Sequence, residues 1–261
     1  MFLKDFFPNL NHEFKNVFFS GISFDSNRVK KDNIFFAIKG NNFNGNDYIE
    51  KAIYRGAKVI ISEQKKIKNK DIIFFPTKNI RKLLAEVSYK ISENKLDKLV
   101  AVTGTNGKSS IADFYYQILN LNSKKVASIG TIGIKYKNKY QPLANTTLDP
   151  LNLSKILTKL KKKGVKYAIM EASSHGLKQN RLDGLLFDVG IFTNLSHDHL
   201  DYHKNMKDYL KSKLYLFEKL LKKRGNIITD FKIPEFSRIK KIAKKNNFRL
   251  NFINSKIDGL K

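Results

Sequence analysis

From residue 99 onward, short unbroken apolar runs alternate with longer segments of helical period, and no other feature narrows the possible folds so far. The runs are LVAVT at 99–103, VASIG at 126–130, YAIM at 167–170, VGIFT at 189–193 and NIIT at 226–229. A strand without polar alternation is covered on both faces, which is the situation of parallel strands between helical layers. The pattern therefore predicts an α/β fold with a mostly parallel sheet. Ligands in such sheets sit outside the carboxyl ends of the strands. The chemistry-bearing residues follow the runs accordingly: TGTNGKSS after the first, Glu171 after the third and NLSHDH after the fourth.

Ahead of this region the sequence predicts strands at 17–24, 34–38, 58–62 and 72–75. It predicts helices over 47–55, stopped by Gly56, and from 79 to about 92. SENKLDK at 92–98 is polar and without period, so the domain boundary is placed there, giving an α/β domain at 1–98 and a second domain at 99–261. Beyond Pro234 the pattern gives one more basic helix and a strand at 250–253.

With 41% hydrophobic and 12% aromatic residues, the 261-residue chain can bury a core. The absence of cysteine excludes disulfide frameworks, thiolate metal sites and cysteine nucleophiles. No stretch offers the ~20 apolar residues of a membrane span. The N-terminus carries Asp5 and Glu13 and does not read as a secretory signal, so a cytoplasmic protein is expected. The net charge of +27 invites a nucleic-acid or anionic-membrane reading. The lysines, however, are spread through almost every segment, with only short runs at 161–163 and 222–224. Neither nucleic acid nor membrane is expected as a partner.

The segment Gly104, Thr105, Asn106, Gly107, Lys108, Ser109, Ser110 follows a buried strand and opens a helix with apolar Ile111, Phe114, Tyr115 and Ile118. Its glycines let backbone N–H groups approach an anion and the helix N-terminus adds partial positive charge. Lys108 can reach terminal phosphates, and Ser109 is placed to ligate Mg²⁺. The match is to a shorter GxxGK[ST] loop and not to GxxxxGK[ST], because Val102 stands five residues before Gly107. The residues predict a nucleoside triphosphate site without fixing the reaction.

Four of the five histidines (175, 197, 199 and 203) fall between Glu171 and Lys213, interleaved with Asp183, Asp188, Asp198 and Asp201. That concentration suggests a divalent metal site. His197 to Asp201 also reads HxHxD, the opening of a dinuclear zinc hydrolase signature, but Tyr202 occupies the sixth position and such a site has no use for a phosphate loop. On the predicted helix 206–221, apolar residues recur at 210, 214, 217 and 221, widened by 209, 216 and 220, with Lys213 beside them. Desolvation there would lower its pKa and free the amine to form a carbamate with CO₂, an anionic Mg²⁺ ligand. A snorkelling lysine is the competing reading.

VTGTNGKSS, NTT at 145–147, MEASSHGL at 170–177 with Gln179 and Arg181, and FTNLSHDHLDYH at 192–203 followed by Lys213 resemble the Mur ligase family. Within it they resemble the MurE branch, which adds the third amino acid of the peptidoglycan peptide. FDSNRVKKDNIFFAIKG and FNGNDYIEKAIYRGAKVII are similar to its uridine-nucleotide domain. The resemblance implies an N-terminal domain binding UDP-MurNAc and a P-loop-type central domain. It also implies an ATP- and Mg²⁺-dependent ligase that activates the carboxylate of a UDP-MurNAc-dipeptide as an acyl phosphate for attack by an amino acid, meso-diaminopimelate or L-lysine. By residue match Gly104 to Ser110 would bind ATP. Lys108, Glu171, His199 and Lys213 would be catalytic, and Ser109, Glu171, His199 and carbamylated Lys213 would hold metal. Asn145, Thr146, Thr147, Ser173, Gln179 and Arg181 would bind the muramoyl dipeptide, and Ser26 with Asn41, Asn42 and Phe43 the uridine diphosphate end. Departures are SerSer at 109–110 where ThrThr is usual, and Asn27 and His197 where arginine is common. The resemblance stops short of the family's C-terminal domain, so the chain alone, expected as a monomer, is expected to show no turnover. Two alternatives stand beside it. The folylpolyglutamate synthetase branch shares a GTNGK loop but has no domain ahead of it, and a basic nucleic-acid-binding protein could keep a degenerate ligase fold.

Overall fold

The computed structural model describes residues 1–7, 11–40, 43–64, 71–92 and 96–253. They form two compact units, Met1–Ile91 and Ser92 onward. Leu96 is buried, and Lys98 opens the first strand of the second unit.

The first unit is a four-stranded parallel sheet in the order β1 (Gly21–Ser23), β2 (Asn33–Phe36), β3 (Ala57–Ser62), β4 (Ile73–Pro76). All four residues of β2 are buried: Ile34, Phe35 and Phe36 as an apolar run demands, and Asn33 with its side chain donating to the Ser20 hydroxyl. One face packs Val29, Phe35, Ala37 and Ile60 against Ile49 and Ala52 of α1 (Ile49–Tyr54). α2 (Ile80–Ile91) buries Ile80, Leu84, Ala85, Val87 and Ser88, the stripe of an amphipathic helix. Asn79 accepts from the N–H of Lys82, and Glu63 from that of Ile80, satisfying two donors of its first turn. The strand predicted over 17–24 shrinks to three residues, because Phe18 turns outward to an isolated antiparallel bridge with Phe2.

The second unit is an eight-stranded sheet in the order β12-β11-β10-β5-β9-β6-β7-β8. In chain order these are β5 (Lys98–Thr103), β6 (Val126–Gly130), β7 (Gly133–Tyr136), β8 (Lys139–Gln141), β9 (Tyr167–Glu171), β10 (Phe187–Phe192), β11 (Leu221–Asp230) and β12 (Arg249–Ile253). The six strands from β12 to β6 are mutually parallel, and β7 and β8 add an antiparallel hairpin. After β5 the chain builds β6 and β9 to one side, then crosses to build β10, β11 and β12 on the other. The carboxyl end of β5 is therefore the topological switch point, where an open parallel sheet leaves a crevice between diverging connections.

Helices cover both faces: α3 (Lys108–Leu121), α4 (Pro150–Lys162), α5 (Ser174–Lys178), α6 (Met206–Lys219) and α7 (Phe236–Asn246). α3 packs through Ala112 and Tyr116, with Ile111 and Tyr115 partly covered by Val100, Val102 and Ile169. Phe114 and Ile118, named with Ile111 and Tyr115 as apolar positions of this helix, are 60% and 59% exposed. α6 buries Tyr209, Leu210, Leu214, Leu216 and Phe217, and carries Lys213 inward with them. Burial of each such apolar side chain contributes ~1.5–3 kcal/mol, so this face can hold one desolvated amine in place. β11 is longer than the predicted 226–229. It begins at Leu221, opposite Phe187, and bulges before Asn226 meets Val189. Lys222 of its basic run pairs with Asp188 at 2.8 Å, and Asp188 also accepts the N–H of Leu99 at 2.8 Å.

Candidate active site

At the end of β5 the backbone must turn sharply beneath a neighbouring strand. Gly104 has φ +148°, and a Cβ there would lie 1.8 Å from the hydroxyl of Thr193, so only glycine fits. The loop is fastened to the segment after β10. Thr105 N–H donates to the carbonyl of Asn194 (2.9 Å), Asn106 N–H to its side chain (3.0 Å), and the Thr193 hydroxyl to the Asn106 carbonyl (2.7 Å). α3 then starts with a bond from Ile111 N–H to the Gly107 carbonyl. The N–H groups of Lys108, Ser109 and Ser110 precede it without intrahelical acceptors. This is a cradle for an anion of phosphate size.

Two lysines converge on one carbonyl. Lys108 Nζ donates to the carbonyl oxygens of Gly104 (3.1 Å) and Thr105 (2.7 Å), and Lys213 Nζ donates to that of Gly104 (2.6 Å). Lys213 is 1% exposed. Burial, then the neighbouring Lys108 charge, bring its pKa from the usual 10.5 to about 7, against a smaller upward pull from Asp198. Lys108 is also lowered by burial, opposed by Glu171 and Asp198. The snorkelling reading of Lys213 fails on its burial: the ammonium end lies over the Tyr209 ring at 4.2 Å, inside the fold.

Glu171, at the end of β9 and 2% exposed, supplies the facing carboxylate. Its Oε2 accepts from the Ser109 hydroxyl (3.0 Å) and the Thr131 hydroxyl (3.2 Å), and its Oε1 accepts from the Thr131 N–H (2.8 Å). Gly130 makes the room, since a Cβ there would lie 2.2 Å from Oε1. An anionic carboxylate beside a hydroxyl, next to a phosphate cradle, is the hard oxygen donor set that suits Mg²⁺.

A second network adjoins Glu171. The Thr147 hydroxyl donates to the Glu171 carbonyl (2.9 Å) and accepts from Ser173 N–H (3.0 Å); Ser173 caps α5 by accepting from Gly176 N–H (3.1 Å). Thr146 and Thr131 share a hydroxyl contact of 3.0 Å. Arg181 donates to the Thr147 carbonyl and, through Nε and Nη2, to Gln179 Oε1 (3.1 and 2.8 Å). Thr146, Thr147, Ser173, Gln179 and Arg181 are thus one connected group; Asn145 lies exposed on the same bend.

The histidine-rich stretch does not gather as a metal cage. Among the described residues no group of three or more His, Asp or Glu converges on a point. The rings pack on one another instead. His175 lies over Tyr202 (4.0 Å between centroids, 31°) and edge-on to His199 (5.0 Å). His199 meets the Tyr209 ring at 6.2 Å, the ring that lies under Lys213, so these two candidates flank one aromatic side chain. Asp183 and Asp188 serve the fold, holding Tyr215 and Leu99. In the first unit, Ser26 is buried at the turn after β1 and Phe43 is 71% exposed; Asn41 and Asn42 lie outside the described residues. No role of their own was read from the sequence for Thr131, Thr193 and Asn194. Their position just past strand ends at the switch point was the available signal.

Residues 102–258 match the Mur ligase middle domain, and residues 19–94 match the domain described as Mur ligase family, catalytic domain. The chain belongs to the Mur ligase family. This Mur ligase chain is 38% identical over 257 residues to the UDP-N-acetylmuramoyl-L-alanyl-D-glutamate--2,6-diaminopimelate ligase of Rickettsia conorii, covering 95% of this chain and 53% of that protein. It is 36% identical over 237 residues to the ligase of the same name from Caldanaerobacter subterraneus, covering 89% and 49%. A solved structure of a ligase of that name superposes with a TM-score of 0.84 at 27% identity, covering 99% of this chain and 53% of that one. The chain spans about half the length of the curated relatives it matches. A structure of E. coli FolC in complex with DHPP and ADP superposes with a TM-score of 0.52 at 17% identity over 66% of this chain, a likeness of fold alone.

Proposed function

We propose that this chain carries the nucleotide-handling part of an ATP-dependent ligase that joins a third amino acid to UDP-N-acetylmuramoyl-L-alanyl-D-glutamate in peptidoglycan synthesis. The observation that carries the reading is the meeting of two lysines, a hydroxyl and a buried carboxylate around the Gly104 to Ser110 loop, at the switch point of the sheet. The names of the relatives support diaminopimelate as the incoming amino acid; L-lysine is the alternative. Cytoplasmic location and a monomeric state belong to the same proposal, and no described helix is long and apolar enough to cross a membrane.

Amide formation from a carboxylate needs the oxygen turned into a leaving group and the repulsion between two anions neutralised. In this reading the loop N–H groups and Lys108 hold the triphosphate, Lys108 leaving its loop carbonyls for phosphate oxygens. Ser109 and Glu171 would hold one Mg²⁺; His199 and Lys213, as a carbamate, a second. The ions would supply charge neutralisation between the γ-phosphate and the substrate carboxylate. The group Thr146, Thr147, Ser173, Gln179 and Arg181 would orient the dipeptide; Thr147 acts by fixing the 171–173 turn, since its hydroxyl is committed to backbone partners. Ser26, Asn41, Asn42 and Phe43 would receive the uridine diphosphate end.

The test has two arms. Mg²⁺-dependent ATP binding is measured on the chain itself, and phosphate release on the chain completed with the remaining segment of a diaminopimelate-adding relative. Release that rises on adding UDP-muramoyl dipeptide together with diaminopimelate or L-lysine supports the proposal. Release indifferent to the muramoyl substrate defeats it.

A further inference from the structure

His203 is used by none of the roles above, yet it is 1% exposed, and its two ring nitrogens face different helices. Nε2 lies 3.0 Å from the hydroxyl of Ser174, the first residue of α5. Nδ1 lies 3.6 Å from Asp208 Oδ2 in the first turn of α6; it is buried and has no hydrogen-bond partner among the described residues. Backbone ties fix the rest. His203 N–H donates to the carbonyl of His199 (2.9 Å), whose own φ is +53°, so the 199–203 turn is wound tightly around the ring that follows it. Asp208 is itself fixed by Lys178 of α5 and by the N–H of Lys204 (3.2 Å).

Serine, histidine and aspartate in that order invite a hydrolase reading. Ser174 is 2% exposed, which keeps a substrate carbonyl from its oxygen, and the arrangement is not a nucleophilic site. The chemistry suits a tie. The Asp208 carboxylate favours the proton on Nδ1, leaving Nε2 to accept from the Ser174 hydroxyl. The His203 ring also packs on Tyr209 (4.9 Å), whose hydroxyl is 3.3 Å from Thr105 Oγ1 of the phosphate loop and whose ring lies under Lys213.

We propose that His203 is a positioning residue that locks the His199 turn against α5 and α6, fixing His199 relative to Lys213 and to the Ser173 turn. The inference deepens the ligase reading but stands on contacts within this chain. Side chains that orient metal-binding groups typically change metal affinity 10–100-fold when lost.

The test follows the ring nitrogens of the full chain by ¹⁵N-correlated NMR, with Mn²⁺–ATP binding as a second readout. Wild type is expected to show His203 as the Nδ1–H tautomer. Ser174→Ala is expected to move the His203 and His199 ring resonances and to leave those of His12 and His197 in place. His203→Phe, which keeps the ring volume, is expected to weaken Mn²⁺–ATP at least ~10-fold, and His203→Gln, which restores a group able to accept from Ser174, to recover most of it. An unchanged His199 resonance in Ser174→Ala overturns the proposal, as does a Phe variant that binds like wild type or a Gln variant no better than Phe. If wild type binds no Mn²⁺–ATP, the ligase reading fails, and the resonances alone decide the role of His203.

Discussion

Replacing Lys213 with methionine should flatten the dependence of stability on pH above neutrality. The wild-type amine has a pKa of about 7 when folded and 10.5 when free of the fold. Between those values the unfolded chain binds one proton more than the folded chain at this site, so stability rises with pH there, by ~1.4 kcal/mol per pH unit from this group. Below pH 7 both states are protonated, and the full cost of burying the charge is carried. Methionine keeps the volume and removes the proton. The wild-type advantage should therefore grow by roughly 2 kcal/mol between pH 7.5 and pH 9, or about 4–8 °C in melting temperature for a unit of this size. Calorimetric melts of both proteins at half-unit steps of pH would measure it. Parallel curves for the two would show that Lys213 stays charged when folded, and would remove the basis for a reactive amine at this site.

Gly130→Ala should push the Glu171 carboxylate off its seat, costing ~1–3 kcal/mol and abolishing any Mg²⁺-dependent stabilisation by ATP; differential scanning fluorimetry with and without Mg²⁺–ATP reads both effects. Asp188→Ala should cost a similar ~1–3 kcal/mol by leaving the buried N–H of Leu99 unpaired, with nucleotide affinity unchanged, as urea titration and calorimetric binding would check. On α3, Phe114→Ser should stay within ~0.5 kcal/mol of wild type, while Tyr116→Ala should cost ~3–5 kcal/mol. The reverse order in urea unfolding would mean the helix packs through its other face.

What could be read from the sequence was local or strictly periodic. The β5 strand, its loop and α3 are contiguous, and their order is dictated by an apolar run, two glycines and a lysine. Lys213 was legible because four apolar positions at helical spacing surround it. The facing of α3 was not: of the four apolar positions named, Ile111 and Tyr115 pack on the core while Phe114 and Ile118 face outward, and Ala112 and Tyr116 are the buried ones. The β7–β8 hairpin also escaped. Its turn at Lys137 and Asn138 has φ of 46° and 58°, a primed turn built without the glycine that usually announces one. The packing of the histidine rings on one another could not be read from the sequence, because their spacing looks the same whether rings meet a metal or each other. Thr131 lies 40 residues from the Glu171 carboxylate it donates to, and Asn194 lies 88 residues from the Asn106 N–H it accepts from, relations that no local pattern carries.

The order of strands around β5 also bears on how the molecule comes to life. Beside its local bonds, the phosphate loop is shaped by bonds that reach far along the chain: 62 residues from Ser109 to Glu171, 88 from Asn106 to Asn194, 109 from Gly104 to Lys213. Such distant pairings are slow to form, since the intervening chain must be ordered first. During synthesis or refolding the loop therefore stays shapeless until β9, β10 and α6 have all docked. In the ligase reading, nucleotide capture would then be a late reporter of completed folding.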